Sequence, residues 1–293
     1  MRLSQIAIDK RERQFAISVS LPPKIVLSLV IISTIVFCAL FAPWISPTDF
    51  NAMAFSDRLS APALFTESAS PYLLGTDHVG RDVFTRILYG ARVSLLVGAV
   101  ATLIGLAIGV ILGVASGYVG GYMDSFIMYL VDVQLSLPFL LLAIAIALVL
   151  GNSVPVLIGI AALAIWPQYA RVCRAVVLSL RERDYVVAAY ALGASSSHIT
   201  RFHLLPGLVA PVLVLATITV GRVILIESAL SFLGIGIKPP TPSWGGMIDE
   251  GRDYLATAWW VSTMPGIALT LLIMAIGTVG DWLRDVLDPT LKT

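Results

Sequence analysis

Charged residues are scarce in this sequence. Asp, Glu, Lys and Arg make up 13% of the 293 residues, whereas hydrophobic residues make up 58%. A soluble domain has about 25% charged residues, so too few charges remain here to cover a water-facing surface. The 19 basic and 18 acidic residues leave a net charge of +1. This balance gives no reason to expect a nucleic-acid partner.

Cysteines and catalytic patterns are scarce as well. Cys38 and Cys173 both lie in apolar runs and are predicted to be buried thiols, so their number excludes a disulfide scaffold and a zinc cluster. The hydrolase patterns GxSxG and HExxH are absent, as is the nucleotide-binding pattern GxxxxGK followed by Ser or Thr. We therefore expect no catalytic residue, no metal site and no cofactor bound by this chain.

Charge is missing altogether from five long runs, and these indicate the fold class. A helix of about 20 apolar residues crosses the hydrocarbon core of a bilayer. The run 133–170 is long enough for two crossings, and the turn residues Gly-Asn-Ser-Val-Pro at 151–155 divide it. We predict an all-α, polytopic membrane bundle of about six transmembrane helices. These are placed at about 25–47, 90–116, 125–150, 154–177, 206–236 and 259–282.

Lysine and arginine residues predict the orientation of the bundle. The leader 1–24 carries five of them and is predicted to be cytoplasmic, because positive loops stay inside. Six crossings then place both termini in the cytoplasm, with 48–89 an extracytoplasmic segment and 90–293 the transmembrane core. His78 falls outside, while His198 and His203 fall inside, so the three histidines cannot form one metal site.

A loop at 181–206, between the fourth and fifth spans, has the pattern of two short helices. Residues 184–192 are predicted to form the first helix, with Gly193 just beyond its end. Ser195, Ser196 or Ser197 is suited to cap the second. Such a cytoplasmic knob could dock into a groove on a soluble partner. An amphipathic loop on the membrane surface fits the pattern equally well.

Polar residues also mark the outer segment and the spans. In the stretch 81–92 apolar residues fall on one helical face, and polar residues that include Arg81, Thr85 and Arg86 fall largely on the other. This pattern predicts an interfacial helix before the second span. Charges within spans are costly and are functional candidates by default. Five residues are candidates for a transport pathway or an interface: Asp132, Arg222, Glu227, Ser228 and Ser231. Arg222 and Glu227 lie five positions apart, about 140° round a helix, and are poorly placed to pair.

The loop 181–206 resembles the EAA motif of ABC-importer permeases, EAA-x3-G-x9-I-x-LP. Ala188, Ala189, Gly193, Leu205 and Pro206 match it, while Val187 replaces the usual Glu and His203 the usual Ile. In that family the loop is a coupling helix that sits in a cleft of the ATPase subunit. The resemblance assigns that contact to Asp184, Val187, Ala188, Ala189, Gly193, Ala194, Ser195, Leu205 and Pro206.

Three more blocks resemble the dipeptide, oligopeptide and nickel branch of these permeases, closest to its "C" subunit. They are 74–92, which contains GTDxxGRD and GAR, 227–245, and 280–289. The first holds an outer signature made of Gly75, Thr76, Asp77, Gly80, Arg81 and Asp82.

The resemblance implies a type I importer permease in a bacterial or archaeal cytoplasmic membrane. It would be surrounded by lipid and paired with a second permease, as a heterodimer. Two cytoplasmic ATPases would bind ATP and Mg, and an extracytoplasmic binding protein would deliver peptides. Nickel chelates or another small solute remain alternative substrates. A gradient-driven secondary transporter and an intramembrane hydrolase fit the residues less well.

Overall fold

The computed structural model describes residues 21–46, 48–63 and 72–287. Most of the leader predicted at 1–24 therefore lies outside the described residues. The described part is helical, and its one β-type pairing is an isolated bridge between Thr76 and Asp82. The helices are α1 Pro23–Leu40, α2 Ala42–Ile45, α3 Val83–Val119, α4 Gly121–Ser136, α5 Phe139–Leu150, α6 Val154–Arg181, α7 Asp184–Ala191, α8 Ser196–Ile199, α9 Leu205–Phe232, α10 Trp244–Arg252 and α11 Trp260–Leu287.

Five of these helical segments are long and apolar enough to cross a membrane. They are α1, α3, α6, α11 and the continuous stretch from α8 to the end of α9, and α4 with α5 makes a sixth if the bent pair is one span. The predicted all-α bundle of about six spans is confirmed.

The third span differs from the expected single helix at 125–150. Helices α4 and α5 meet at an angle of 91°. Leu137 adopts extended backbone angles between them, because the ring of Pro138 disfavours a helical residue before it. The prolines Pro167, Pro211 and Pro265 lie instead inside continuous helices.

The second span also begins earlier than expected. A single helix of 37 residues runs from Val83 to Val119, so residues 83–92 are its first turns and not a separate interfacial helix. Asp82 caps its start by accepting hydrogen bonds from the backbone N–H groups of Phe84 and Thr85, at 3.3 and 3.0 Å.

Helix α3 packs closely against α6. A Cβ placed on Gly105, Gly109 or Gly113 would collide with α6 atoms, at Gly109 those of Trp166 and Tyr169. The four-residue spacing of these glycines is typical of a close helix contact. The structure shows that the partner is α6 of the same chain.

The connections gather at two ends of the bundle. The segments 48–63 and 72–82, helix α10 and the start of α11 lie at one, which we call the α10 end. The turn between α3 and α4 and the loop that holds α7 and α8 lie at the other, the α7 end. Each end carries one of the predicted motif clusters.

Candidate functional site

The loop at the α7 end is a helix–turn–helix built as its sequence predicts. Gly193 follows α7 with φ +84, a conformation that glycine adopts without strain. The N–H of Gly193 bonds to the carbonyl of Tyr190, and that of Ala194 to the carbonyl of Ala189, each at 3.0 Å. These two bonds form a Schellman cap. Ser195 then caps α8 by accepting from the N–H of His198 at 3.3 Å.

One face of this loop is anchored in the bundle and the other is free. Val186, Ile199 and Leu204 are buried in an apolar cluster with Cys173 and Val177 of α6. The rest of its surface carries exposed apolar and aromatic groups, which include Tyr185, Val187, Tyr190 and Leu192. Asp184, Ala188, Gly193, Ser195, Leu205 and Pro206 are exposed too, and Ala189 and Ala194 half-buried. The loop is therefore a rigid knob with an apolar outer surface.

The knob is also joined to the turn between α3 and α4. Arg181 donates from Nη1 to the carbonyl of Gly117 at 3.1 Å, and the hydroxyl groups of Tyr118 and Tyr190 lie 3.1 Å apart. Nearby, Arg174 of α6 donates two hydrogen bonds to the carboxylate of Asp124 in α4, at 2.5 and 2.6 Å. A displacement of the knob would therefore act on α3, α4 and α6 together.

The outer signature folds into a buried ionic cluster at the α10 end. Asp77 accepts from Arg81 Nε and Arg86 Nη1, both at 2.6 Å. Glu250 of α10 accepts from the same two arginines, at 2.7 and 2.6 Å. Two cations and two anions thus balance. Glu250 and Arg86 are absent from the predicted signature residues, since nothing local in the sequence links them.

This cluster changes the interpretation of the stretch 81–92. Arg81, Thr85 and Arg86, expected on the water-facing side of an interfacial helix, are buried. Burial raises the pKa of Asp77, but the N–H of Arg81 and the charges of Arg86 and Arg81 outweigh it and hold that pKa below its usual value. Asp77, His78 and Glu250 each offer one possible metal-ligand atom, and these atoms lie within 4.8 Å of one another. Both carboxylates, however, already accept hydrogen bonds from the two guanidinium groups.

Backbone geometry explains the glycines of the signature. Gly80 has φ +82 and lies against the carbonyl of Ala54, leaving no room for a Cβ. Gly75 has φ +76 and is held between the carbonyl of Ser60 and the indole of Trp260. That indole donates to the carbonyl of Thr76 at 3.1 Å. The signature therefore packs the segment before α3 against the start of α11, through the contacts of Gly75 and Thr76 with Trp260.

Glu227 lies inside the chain rather than on a surface. Its carboxylate is 1% exposed and accepts from Ser231 at 2.8 Å and from Ser94 of α3 at 3.2 Å. Ser228 and Ser231 are buried with it. These three residues, expected at a pathway or an interface, instead lie inside the chain, where Glu227 joins α9 to α3 through its hydrogen bond with Ser94.

Asp132 and Arg222 face outward and each has a polar partner on α6. Asp132 pairs with Arg171, and Arg222 donates from Nη1 to Oε1 of Gln168 at 3.1 Å. Arg222 and Glu227 do not pair, as their spacing predicts. Gln168 was not among the predicted residues.

Comparison with known proteins agrees with this geometry. Residues 105–293 match the family described as "Binding-protein-dependent transport system inner membrane component". The chain belongs to this permease family. Residues 25–62 match the N-terminal transmembrane domain of oligopeptide transport permease C. The resemblance to ABC-importer permeases is therefore confirmed.

Individual relatives cover almost the whole permease. The dipeptide transport system permease protein DppC of Escherichia coli strain K12 is 47% identical over 272 residues, with 91% of this chain and 89% of the relative covered. The di/tripeptide permease DppC of Pseudomonas aeruginosa is 42% identical over 259 residues, covering 88% and 85%.

A solved structure of similar fold is a chain of the MetNI methionine ABC transporter in an inward-facing conformation. Its TM-score is 0.55 at 20% identity, with 70% of this permease and 97% of that chain covered. At this identity the similarity concerns the fold.

Proposed function

We propose that this permease imports di- and oligopeptides across the cytoplasmic membrane, together with a second, different permease subunit. Two cytoplasmic ATPases would bind ATP and Mg and dock on the knob formed by α7 and α8. An extracytoplasmic binding protein would deliver the peptide at the α10 end. The peptide assignment is supported by the relatives, whose names specify dipeptides or di/tripeptides. Membership of a binding-protein-dependent family disfavours the gradient-driven alternative.

The observation that carries the coupling role is the two-faced knob. An exposed apolar surface on a short helix suits insertion into a groove of a soluble subunit. Its other face is buried against α6 through Val186, Ile199 and Leu204. Closure of the ATPases on ATP would therefore move α6 and α9 with the knob. The α7 end, and both termini, would then lie in the cytoplasm.

Substitution of Ala188 by Asp tests the docking surface. Ala188 is exposed and lies on the side of α7 away from the buried Val186, so the fold should tolerate the carboxylate, whereas a groove that accepts the small apolar side chain would reject it. We expect the amount of ATPase that co-purifies to fall about tenfold, as for loss of a central contact in an interface. Leu255→Asp is the matched control, because Leu255 is exposed as well but lies at the α10 end.

Equal recovery of the ATPase with Ala188→Asp and the unaltered permease would overturn the docking role. The substrate is tested separately, by uptake into vesicles that contain the whole complex and its binding protein. We expect labelled dipeptide to enter in an ATP-dependent manner and to compete with unlabelled dipeptide. Uptake of a nickel chelate without uptake of peptide would contradict the peptide assignment.

A further inference from the structure

Four polar side chains form a continuous band across three helices. Asp132 of α4 pairs with Arg171 of α6, and Arg222 of α9 bonds to Gln168 of α6. Gln168 and Arg171 are three residues apart and therefore neighbours on one face of α6. We call these four residues the polar band. Gln168 lies halfway along the helix Val154–Arg181, so the band lies near the middle of the bundle.

The polar band is open to the surroundings of the chain. The side chains of Arg171 and Asp132 are 52% and 63% exposed, and Gln168 and Arg222 are exposed as well. Charged groups are costly in the hydrocarbon of a bilayer and face water or protein instead. The face that carries the band is therefore not a lipid-facing surface.

The neighbouring residues of α6 support this distinction. Between the band and the α7 end, the exposed positions of α6 are Ala175, Ser179 and Arg181, which are small, polar or charged. The exposed face of α3 carries large apolar residues, among them Leu103, Ile108 and Ile111, as expected for contact with lipid. Two helices of the same bundle thus present chemically different outer surfaces.

A cavity extends from the band toward the α7 end. It has a volume of about 660 Å³ and lies between α6, α9 and the end of α11, with Arg284 at its lining. Val172 and Ile218 line it, and each is one turn of its helix from a residue of the band, Gln168 and Arg222 respectively. The band and the cavity therefore form one surface.

We propose that the polar band lines the water-filled translocation pathway and that Arg222 attracts the carboxylate groups of passing peptides. Asp132 and Arg171 neutralise each other, whereas the partner of Arg222, Gln168, is neutral. The positive charge of Arg222 thus remains uncompensated at the edge of the cavity farthest from the α7 end. The lining role stands on the structure alone, and the peptide contact rests on the proposed function.

Thiol accessibility in the assembled importer tests the lining role. Cys38 is replaced by Ala, and Cys173 is kept because its thiol is buried. Gln168→Cys and Ala175→Cys are then labelled with a charged, membrane-impermeant thiol reagent. Ala175→Cys leaves all bonds of the band intact, so it reports even if Gln168→Cys disturbs assembly.

Ile111→Cys provides the control at matched depth. The glycines on either side of it, Gly109 and Gly113, contact Trp166, Tyr169 and Ala170 of α6, and its side chain is 67% exposed. We expect both α6 thiols to react at least about tenfold faster than the one at position 111, because a thiol in apolar surroundings is rarely ionised. Equal, slow reaction at all three positions would overturn the proposal, whether lipid or the second permease covers the band.

The role of Arg222 is tested by the ratio of uptake of an anionic to a cationic dipeptide. We expect Arg222→Gln to lower this ratio about two- to fivefold, the factor for one exposed ion pair, and Arg222→Lys to preserve it. Arg92→Gln removes an equal charge outside the band and should leave the ratio unchanged. An unchanged ratio in Arg222→Gln would overturn the carboxylate contact. Failure of the unaltered complex to take up any peptide would instead contradict the proposed function, and the thiol results would still stand.

Discussion

The carboxylate of Asp77 shows how this permease keeps charged residues in its interior. It is shared by two arginines that also share Glu250, so neither charge sign is in excess. A buried ion pair adds little net stability over apolar packing, but removal of one partner leaves a buried charge uncompensated. The cluster thus fixes how the segments at the α10 end pair with one another. Loss of any one of its four charged side chains would destabilise that end.

Asp77→Asn removes one of the two anions. We expect the free energy of unfolding in detergent to fall by about 3–5 kcal/mol, because Arg81 and Arg86 then share one carboxylate. Asp253→Asn is the control, since Asp253 contacts Arg252 at 3.5 Å on the surface, where a pair contributes at most about 1 kcal/mol. Equal, small losses in the two variants would contradict the cluster's role.

Acid should weaken the same cluster. The folded-state pKa of Asp77 lies below its ordinary value of 3.8, so its contribution is complete above that value. It is lost as the pH falls from 3.8 through the folded-state pKa, where the unfolded chain binds the proton first. We expect thermal stability to decline in this window, and to decline less in Asp77→Asn. Parallel curves for the two proteins would count against the assignment to Asp77.

Local residues were more predictable than distant partners. Gly193 and the Ser195 cap could be assigned from the sequence because a helix end depends on its own few residues. The partnership of Arg86 with Glu250 could not, because the two are 164 residues apart and only the tertiary fold brings them together.

At the scale of helices, spacing predicts that a close contact exists but not with which helix. The glycines at 105, 109 and 113 indicate a closely approached face, and only the fold identifies α6 as its partner. Similarly, Pro138 predicts an interruption of the third span, but the angle of 91° depends on how α5 packs. Such angles arise from tertiary contacts rather than from the proline itself.

Gly109→Ala tests the contact between α3 and α6. The added methyl group would collide with Trp166 and Tyr169, and overpacking of this kind costs about 1–3 kcal/mol. We expect a lower midpoint of thermal unfolding in detergent. Gly159→Ala is the control on α6, where a Cβ would meet nothing within 4 Å, and it should not lower the midpoint. A stable Gly109→Ala variant would mean that the two helices separate easily.

At the scale of the molecule, the two ends differ in how they are built. The α10 end is closed by buried charge, by glycines and by the hydrogen bond from Trp260 to Thr76. The α7 end presents an apolar knob whose outer face has no cover within the described chain. The sequence could predict that both ends carry motifs, because loops between spans are local. It could not predict that one is sealed and the other open.

The unbroken length of α3 has a mechanical consequence. Its 37 residues extend about 55 Å, whereas the hydrocarbon core is about 30 Å thick. The uncharged run 93–123 is the part suited to the hydrocarbon, so the first turns of the helix extend beyond it. The ionic cluster therefore lies at the end of one long helix, outside the uncharged run. A load applied there would be transmitted along one axis to Gly117, whose carbonyl accepts a hydrogen bond from Arg181 at the end of α6, just before the knob.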